Sequence, residues 1–200
     1  MLTVLVVALA LGALSASAAM AHEWKVSGNP VISPTKAESE GTLQFENTTE
    51  QYSFQCKFRR KVELEPGGLG EITSITSTSG AKVLKCETKT SSACEKEAEI
   101  EALHLPWRTE LVTINGELRN KIVKGGGQPE WKITCFLFRI KTPNWCYATT
   151  NAGIKNSGSL VEEIYDAKSP HTLCTNDGGE PFVTKGTELL VSTSGGVSAS

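Results

Sequence analysis

Residues 51–59 read Gln-Tyr-Ser-Phe-Gln-Cys-Lys-Phe-Arg, and this stretch decides the fold class. Its large apolar residues occupy every second position and alternate with polar ones, which is the pattern of a strand with one buried face. Residues 41–46 and 131–137 repeat the alternation, and turn-forming residues at 66–68 and 125–127 lie between such stretches. The chain is therefore predicted to be all-β, an antiparallel β-sandwich or a related barrel-like domain.

The clearest hairpin signal is Asn115-Gly116, between stretches at 110–114 and 117–123. Asn and Gly readily adopt the positive φ that a type I′ turn requires at both central positions. The segment 94–105 is ambiguous. Its many Glu and Ala residues favour a helix, but apolar residues alternate with glutamates between 97 and 102, which favours a strand.

The N-terminal residues have the composition of an export signal. Residues 1–21 contain no Asp, Glu, Lys or Arg, and an apolar run at 2–14 is followed by small residues. This layout predicts a secretory signal peptide over 1–21, cleaved after Ala18 or Ala21. An N-terminal membrane anchor is the alternative, although the run is shorter than the roughly 20 residues a span needs. We expect a secreted, extracellular β domain at 22–191, without a membrane span after cleavage, and a loose tail at 192–200.

Six cysteines follow the predicted signal peptide. An even number of cysteines in an exported chain indicates disulfides that staple the fold, and the wide spacings do not favour the alternative, structural zinc. The predicted first disulfide is Cys86–Cys94, because only a short loop separates these two cysteines. The other predicted disulfides are Cys135–Cys146 and Cys56–Cys174.

Charge excludes some partners. The formal net charge is −2 and the sequence pI about 6.0, so neither nucleic acid nor an anionic membrane is an expected partner. A basic cluster, Lys57, Arg59, Arg60 and Lys61, lies near the strand at 51–59 and is interpreted as its solvent-exposed face. Glu162-Glu163 is likewise predicted to lie at the surface.

Two enzymatic hypotheses can be written for this chain. Cleavage after Ala21 would make His22 the first residue, and its amine and imidazole, with His104 or His171, would suit a copper ion in a copper oxidase. A carbohydrate-active hydrolase would need a pair of carboxylates at a defined separation. The glutamates, however, occur in no context that distinguishes such a pair, and the sequence has no nucleophile motif.

Tryptophans are candidates for a recognition surface. Trp131 alternates with apolar residues and is predicted to be in the core, whereas Trp107 and Trp145 lie beside Pro106 and Asn144 in turn-like contexts. A loop that displays Trp107 and Arg108, with Trp145 nearby, is therefore a candidate binding site. The competing interpretation is that Trp107 covers the edge of the core.

Several motifs together resemble a paralogous group of uncharacterised secreted bacterial proteins. The most specific is Leu-Pro-Trp-Arg-Thr-Glu-Leu at 105–111, supported by Gly41-Thr42-Leu43, by the stretch 66–73 and by the Trp131, Cys135 and Cys146 series. No activity is assigned to that group, so the resemblance implies export and a β fold but no site residue.

The expected function is that of a non-enzymatic extracellular or envelope-associated binding or structural protein. Its partner is expected to be a protein or glycan at the cell exterior, and no cofactor is expected. The secreted copper oxidase and the carbohydrate-active hydrolase are the alternatives. The sequence does not indicate an oligomeric state.

Overall fold

The computed structural model describes residues 22–47, 52–90, 97–123, 128–137, 140–147, 151–166, 172–173 and 181–200. Within these ranges almost every residue lies in a strand, a turn or a short connection, and no α-helix is present. The all-β prediction is confirmed, and of the two predicted architectures the barrel is the one that forms. The predicted signal peptide, 1–21, lies outside the described residues.

The strands, in chain order, are β1 (Trp24–Val26), β2 (Asn29–Pro30), β3 (Thr35–Asn47), β4 (Tyr52–Leu64), β5 (Leu69–Thr76), β6 (Val83–Thr90), β7 (Glu97–Leu103), β8 (Trp107–Ile114), β9 (Glu117–Val123), β10 (Glu130–Leu137), β11 (Ile140–Tyr147), β12 (Asn151–Ser157), β13 (Leu160–Tyr165), β14 (Thr172–Leu173), β15 (Pro181–Ser192) and β16 (Val197–Ala199). A 3-10 turn at Pro66–Gly68 leads into β5.

Eight strands close into an antiparallel barrel in the order β4, β3, β15, β13, β12, β9, β8 and β5, with β5 returning to β4. Closure is possible because β4 is long enough to have two neighbours on one side. Its residues 59–64 pair with β5, and its residues 53–55 pair with β6. From β6 the sheet continues through β7 and β10 to β11, a four-stranded extension of the barrel.

The ambiguous segment is a strand, as the alternation favoured, because β7 covers Glu97–Leu103. The Asn115-Gly116 hairpin is also confirmed. It joins β8 to β9, and φ is 54° at Asn115 and 81° at Gly116, the positive values that a type I′ turn needs.

Two glycines allow β3 and β15 to approach closely inside the barrel wall. A Cβ atom at Gly41 would lie 2.5 Å from Cβ of Glu188, and one at Gly186 would lie 2.1 Å from the carbonyl oxygen of Thr42. The φ of Gly186 is also positive, at 144°. Only glycine fits at either position without a shift of the neighbouring strand.

The core is aromatic where the extension meets the barrel. Trp131 of β10 contacts Phe45 of β3 and Trp107 of β8 edge to face, with ring centroids 5.6 and 4.9 Å apart. Such tilted pairs are the favoured geometry for buried rings. Trp131 is 5% exposed, which confirms its predicted core position.

The C-terminal residues form part of the fold, so the prediction of a loose tail at 192–200 is wrong. Val197–Ala199 pairs with β1, and Val197 and Ala199 are buried. The pairing covers Trp24, which is 1% exposed. A sequence of small polar residues forms a strand here because a partner strand and an apolar surface are available to it.

The predicted disulfide pairings are wrong. Cys56 bonds to Cys86, with Cα atoms 4.4 Å apart, which overturns both Cys86–Cys94 and Cys56–Cys174. The two cysteines face each other on adjacent strands, and a facing pair outweighs the short loop on which the sequence argument rested. Cys94 and Cys174 themselves lie outside the described residues.

Cys135 and Cys146 are disulfide-bonded, but not to each other. In the pairing of β10 with β11, Cys135 faces Thr142 and Cys146 faces Trp131. That offset separates their Cα atoms by roughly 13 Å along the strands, whereas a disulfide spans about 4.4–6.8 Å.

Candidate functional site

The sheet splits where β4 changes partner. Gln55 still pairs with Glu87 of β6, and Arg59 already pairs with Thr76 of β5. Between these positions β5 and β6 diverge, and the connection at 77–82 bridges their ends. The split leaves an open groove on the outer face of the barrel, which we call the split groove.

The split groove has a volume of about 520 Å³. That lies within the roughly 300–1,000 Å³ typical of small-molecule sites. Its lining is mostly polar and includes Gln55, Lys57, Ser77, Ser79, Val83 and Lys85. None of the described residues that line it is aromatic.

Hydrogen bonds hold the connection that forms one wall of the groove. The amide of Ser77 donates to the carbonyl of Ala81 at 2.8 Å, and the amide of Gly80 donates to the carbonyl of Ser77 at 2.8 Å. The hydroxyl of Ser77 accepts from the Ala81 amide and lies 2.8 Å from the hydroxyl of Ser79. The hydroxyl-bearing wall is therefore preformed.

Two lysines project into the groove from opposite strands. The ladder between β4 and β6 ends at the Gln55–Glu87 pair, and the disulfide then joins Cys56 to Cys86. Lys57 and Lys85 are the next residues of the two strands beyond that bond, and both line the groove. The cysteines point inward and are buried, so the lysines point outward and are exposed. Like charges on neighbouring strands repel, so this arrangement carries an electrostatic cost.

Glu87 also lines the groove, and its carboxylate accepts a hydrogen bond from Lys89 at 2.9 Å. This bond and the charge of Lys89 lower the pKa of Glu87, and the charge of Lys57 adds to that effect. Across β6, Lys85 is in register with Glu99 of β7. Within the described residues neither Lys57 nor Lys85 has a carboxylate within 4.0 Å.

A second polar cluster lies inside the barrel, out of contact with solvent. Arg60 is 3% exposed and sits between two glutamates, 2.8 Å from an oxygen of Glu163 and 3.1 Å from an oxygen of Glu188. The Tyr165 hydroxyl donates to Glu188 at 2.6 Å. Hydrogen bonds from the Ser39 hydroxyl to Glu188 and from the Asn120 amide to Glu163 complete the cluster.

The cluster separates the acidities of its two carboxyl groups. Burial raises the pKa of Glu188 to about 7, and the charge of Glu163 adds to the rise against the opposing effect of Arg60. Burial also acts to raise the pKa of Glu163, but the Arg60 charge and hydrogen bonds from Glu188 and Asn120 outweigh it, so that pKa is lowered. The pKa of Tyr165 is raised by burial and by Glu188.

The interior has little free space beside this cluster. A cavity of about 20 Å³ is bounded by Arg60, Tyr165, Thr184 and apolar side chains that include Trp107. That is room for about one water molecule. Among the residues that the structure describes, the hydroxyl of Thr184 has no hydrogen-bond partner, as expected beside a water-sized space.

The predicted recognition residues are not brought together at the surface. Trp107 is 1% exposed and its indole donates to the carbonyl of Leu103 at 2.7 Å, so the hypothesis that its ring forms a binding surface is wrong. Arg108 is exposed on the same strand, because successive residues of β8 face opposite sides. The side chain of Trp145 lies outside the described part of the structure.

The histidines of the copper hypothesis occupy different places. His22 hydrogen-bonds to Thr113 at 2.9 Å, and His104 lies 3.2 Å from Glu130 at the surface. His171 lies outside the described residues. Among the residues that the structure describes, no three His, Cys, Asp or Glu side chains are grouped so as to hold a metal ion.

Sequence reasoning missed the residues of both polar sites. Arg60 shares its strand face with Phe58 and Val62, so the period-two pattern itself places it inside, and its assignment to the solvent face was wrong. Glu163, also assigned to the surface, is 0% exposed for the same reason, between the buried Val161 and Tyr165. No sequence signal reveals that Lys57 and Lys85 line one groove.

Comparison with family models, curated proteins and solved structures found no match to this chain. Among the described residues, no helix has the length and apolarity needed to cross a membrane.

Proposed function

We propose that this chain is a secreted, non-enzymatic binding protein and that the split groove is its binding site for a polar ligand. The observation that carries the proposal is the contrast between two spaces. The groove is open and preformed, with about 520 Å³, whereas the cavity beside Arg60 and Tyr165 inside the barrel has about 20 Å³. A ligand larger than water has room in the groove and not in that interior cavity.

The carboxylates with shifted pKa values do not favour the hydrolase alternative. Glu163 and Glu188 both face Arg60 inside the barrel, and a saccharide has no room beside them. In the groove, the pKa of Glu87 is lowered rather than raised, which does not suit a general acid. Neither site combines an accessible acid with an accessible base or nucleophile.

Export to the cell exterior is supported by two features. The N-terminal residues have the composition of a signal peptide, and Cys56 and Cys86 form a disulfide, a bond that persists mainly in oxidising compartments. A glycan or protein at the cell exterior is the partner that such a location would supply.

The proposal is tested by mapping ligand contacts with ¹⁵N amide shifts of the full mature chain. The probes are neutral and acidic oligosaccharides of four sugar units. We expect saturable shifts confined to residues 55–57, 77–81 and 83–87, with the saccharide recovered intact. Shifts centred elsewhere, or cleavage of the saccharide, would overturn the proposal.

A blocking substitution supplies the matched control. Ser79→Trp fills the groove from its exposed wall and should abolish the shifts, whereas Ser157→Trp, at an exposed position of β12 away from the groove, should leave them unchanged. Equal loss of binding in both variants would contradict the placement of the site.

A further inference from the structure

We propose that the split groove binds an acidic saccharide and holds its anionic group between Lys57 and Lys85. This inference rests on the proposed function and adds the chemical class of the ligand. Its starting point is the disulfide between β4 and β6, because Lys57 and Lys85 each adjoin one of its cysteines and both line the groove.

The disulfide fixes the spacing of the lysines. The disulfide holds the Cα atoms of Cys56 and Cys86 4.4 Å apart, and each lysine is next to one of these cysteines in the chain. β4 and β6 therefore cannot separate there to relieve the repulsion between the lysines. An anion between the two ammonium groups would convert this repulsion into two attractive contacts. The arrangement therefore favours a bound anion over an empty groove.

Nearby carboxylates compensate this charge only in part, through Glu87, which lines the groove and whose pKa is lowered in part by the charge of Lys57. Glu87 is hydrogen-bonded to Lys89, and Arg59, the next basic residue on the outer face of β4, pairs with Glu40 at 3.2 Å. Glu99 is in register with Lys85 but does not come within 4.0 Å of it among the described ion pairs. Lys57 and Lys85 can therefore both be directed toward a ligand.

The remaining lining indicates a hydroxylated ligand. Ser77, Thr78 and Ser79 present hydroxyl groups along one wall, and Gln55 presents an amide. Such groups match the hydroxyls of a sugar, whereas a nucleobase would need an aromatic surface and an apolar peptide anchor would need an apolar pocket. An acidic saccharide satisfies both the charge and the hydroxyl wall.

The test compares ligands that differ in charge alone. Tetragalacturonate carries a carboxylate on every unit, and its methyl ester keeps the skeleton without the charge. We expect the acid to bind at least about tenfold more tightly than the ester at low salt, and the difference to shrink as salt is added. Further probes are inorganic phosphate, inorganic sulfate and a tetrasaccharide of uncharged sugars to which sulfate groups have been added.

Variants identify the groups responsible. Lys57→Gln and Lys85→Gln should each weaken binding of tetragalacturonate by about three- to tenfold, and Lys57→Glu should abolish it. Lys61→Gln is the matched control, because Lys61 projects from the same face of β4 and does not line the groove.

The binding results distinguish failure of the lysine pair, failure of the saccharide class and failure of the proposed function. Equal groove binding of the acid and its ester would overturn the role of the lysine pair and leave the proposed function standing. Groove binding of free phosphate or sulfate with no gain from a saccharide, or tighter binding of triglutamate than of tetragalacturonate, would overturn the saccharide class. Absence of groove binding by every probe would overturn this inference and the proposed function together.

Discussion

Arg60 is the residue on which the barrel interior depends most. Its guanidinium is the positive charge between Glu163 and Glu188, and it also donates to Ser39 and lies 3.4 Å from the Tyr165 hydroxyl. Removal of one member of a buried ion cluster leaves the others buried without compensation, which is costlier than the loss of an exposed pair. The charges of the cluster are therefore acceptable only together.

The Arg60→Met variant tests this dependence. We expect it to lower the free energy of unfolding by about 3–5 kcal/mol, because it leaves Glu163 and Glu188 buried beside each other. The measurement is urea unfolding followed by tryptophan fluorescence. Arg59→Met, next along β4 with a side chain 45% exposed, is the control and should change stability by about 0.5 kcal/mol or less. Equal effects of the two substitutions would contradict the assigned role.

Glu188 should make stability depend on pH. Its folded-state pKa of about 7 lies above the unfolded value of about 4.3, so the folded chain binds the extra proton between these values. The stabilisation is complete below the unfolded value and is lost as the pH rises through 7, by up to about 4 kcal/mol. Glu163 acts oppositely, because its lowered pKa gives stability that is lost at acid pH.

Unfolding midpoints in urea between pH 4.5 and 8 measure this effect. We expect the wild-type midpoint to fall across the range and that of Glu188→Gln to stay nearly level, since glutamine has no proton to lose. Glu40→Gln, an exposed residue of β3, should keep the wild-type slope. A wild-type profile as flat as that of Glu188→Gln would show that Glu188 titrates as an ordinary carboxyl group.

At the level of the elements, the close approach of β3 and β15 depends on Gly41. We expect Gly41→Ala to destabilise the protein by about 3 kcal/mol or more, because the added methyl would meet Glu188 at 2.5 Å and the Thr187 carbonyl at 2.3 Å. Gly153→Ala is the matched control. It also lies within a strand, and its methyl would have 3.6 Å to the nearest heavy atom. Thermal unfolding of both variants distinguishes steric exclusion from strand propensity.

The disulfide between β4 and β6 is expected to stabilise the contact between these two strands. It closes a loop with a sequence separation of 30, for which the chain-entropy model gives about 3–4 kcal/mol. We expect the double variant Cys56→Ala, Cys86→Ala to lose about this much stability in urea. It should also bind tetragalacturonate less tightly, because the lysine spacing is no longer fixed. Full stability in the double variant would assign the pairing to the strand ladder alone.

Local pattern predicted the elements well and their partners poorly. Alternation identified β4, β7 and β10, and Asn115-Gly116 identified the hairpin, since both signals act between residues close in sequence. The Cys56–Cys86 bond depends on which strands become neighbours, a property of the whole sheet. The same limit applies to the split groove, which exists only because β4 changes partner between Gln55 and Arg59.

The side-chain errors have a different origin. The prediction of a solvent-exposed face treats the charged residues of each cluster as one group, although the strand positions of Arg60 and Glu163 point inward. A buried charge is costly unless its partners are present, and those partners come from β13 and β15, more than a hundred residues along the chain from β4. Position predicted burial correctly here, and residue type did not.

On the scale of the whole molecule, side chains fill the described part of the barrel interior and leave little space for a ligand. Aromatic rings from β3, β8 and β10 fill one region, and the Arg60 cluster fills another. Eight strands give an interior that side chains can just fill. A closed sheet also leaves few free edges. At the split, the ladder of β4 is interrupted between Gln55 and Arg59, so the backbone opens to the surface there as well as at the end of the extension.

A filled interior predicts that apolar ligands do not enter the barrel. We expect titration of the wild-type protein with dodecanoate or benzene to give no saturable heat, because the cavity beside Trp107 has only about 20 Å³.

Trp107→Ala should lower the free energy of unfolding by about 3–5 kcal/mol and enlarge that cavity. Since an apolar cavity of sufficient size binds benzene, the variant should bind it where the wild type does not. Ile122→Ala, at the edge of the same cavity, is a milder substitution should Trp107→Ala not fold. Binding of dodecanoate by the wild type, with amide shifts at inward-facing residues, would mean that the barrel opens in solution and would move the binding site from the groove to the interior.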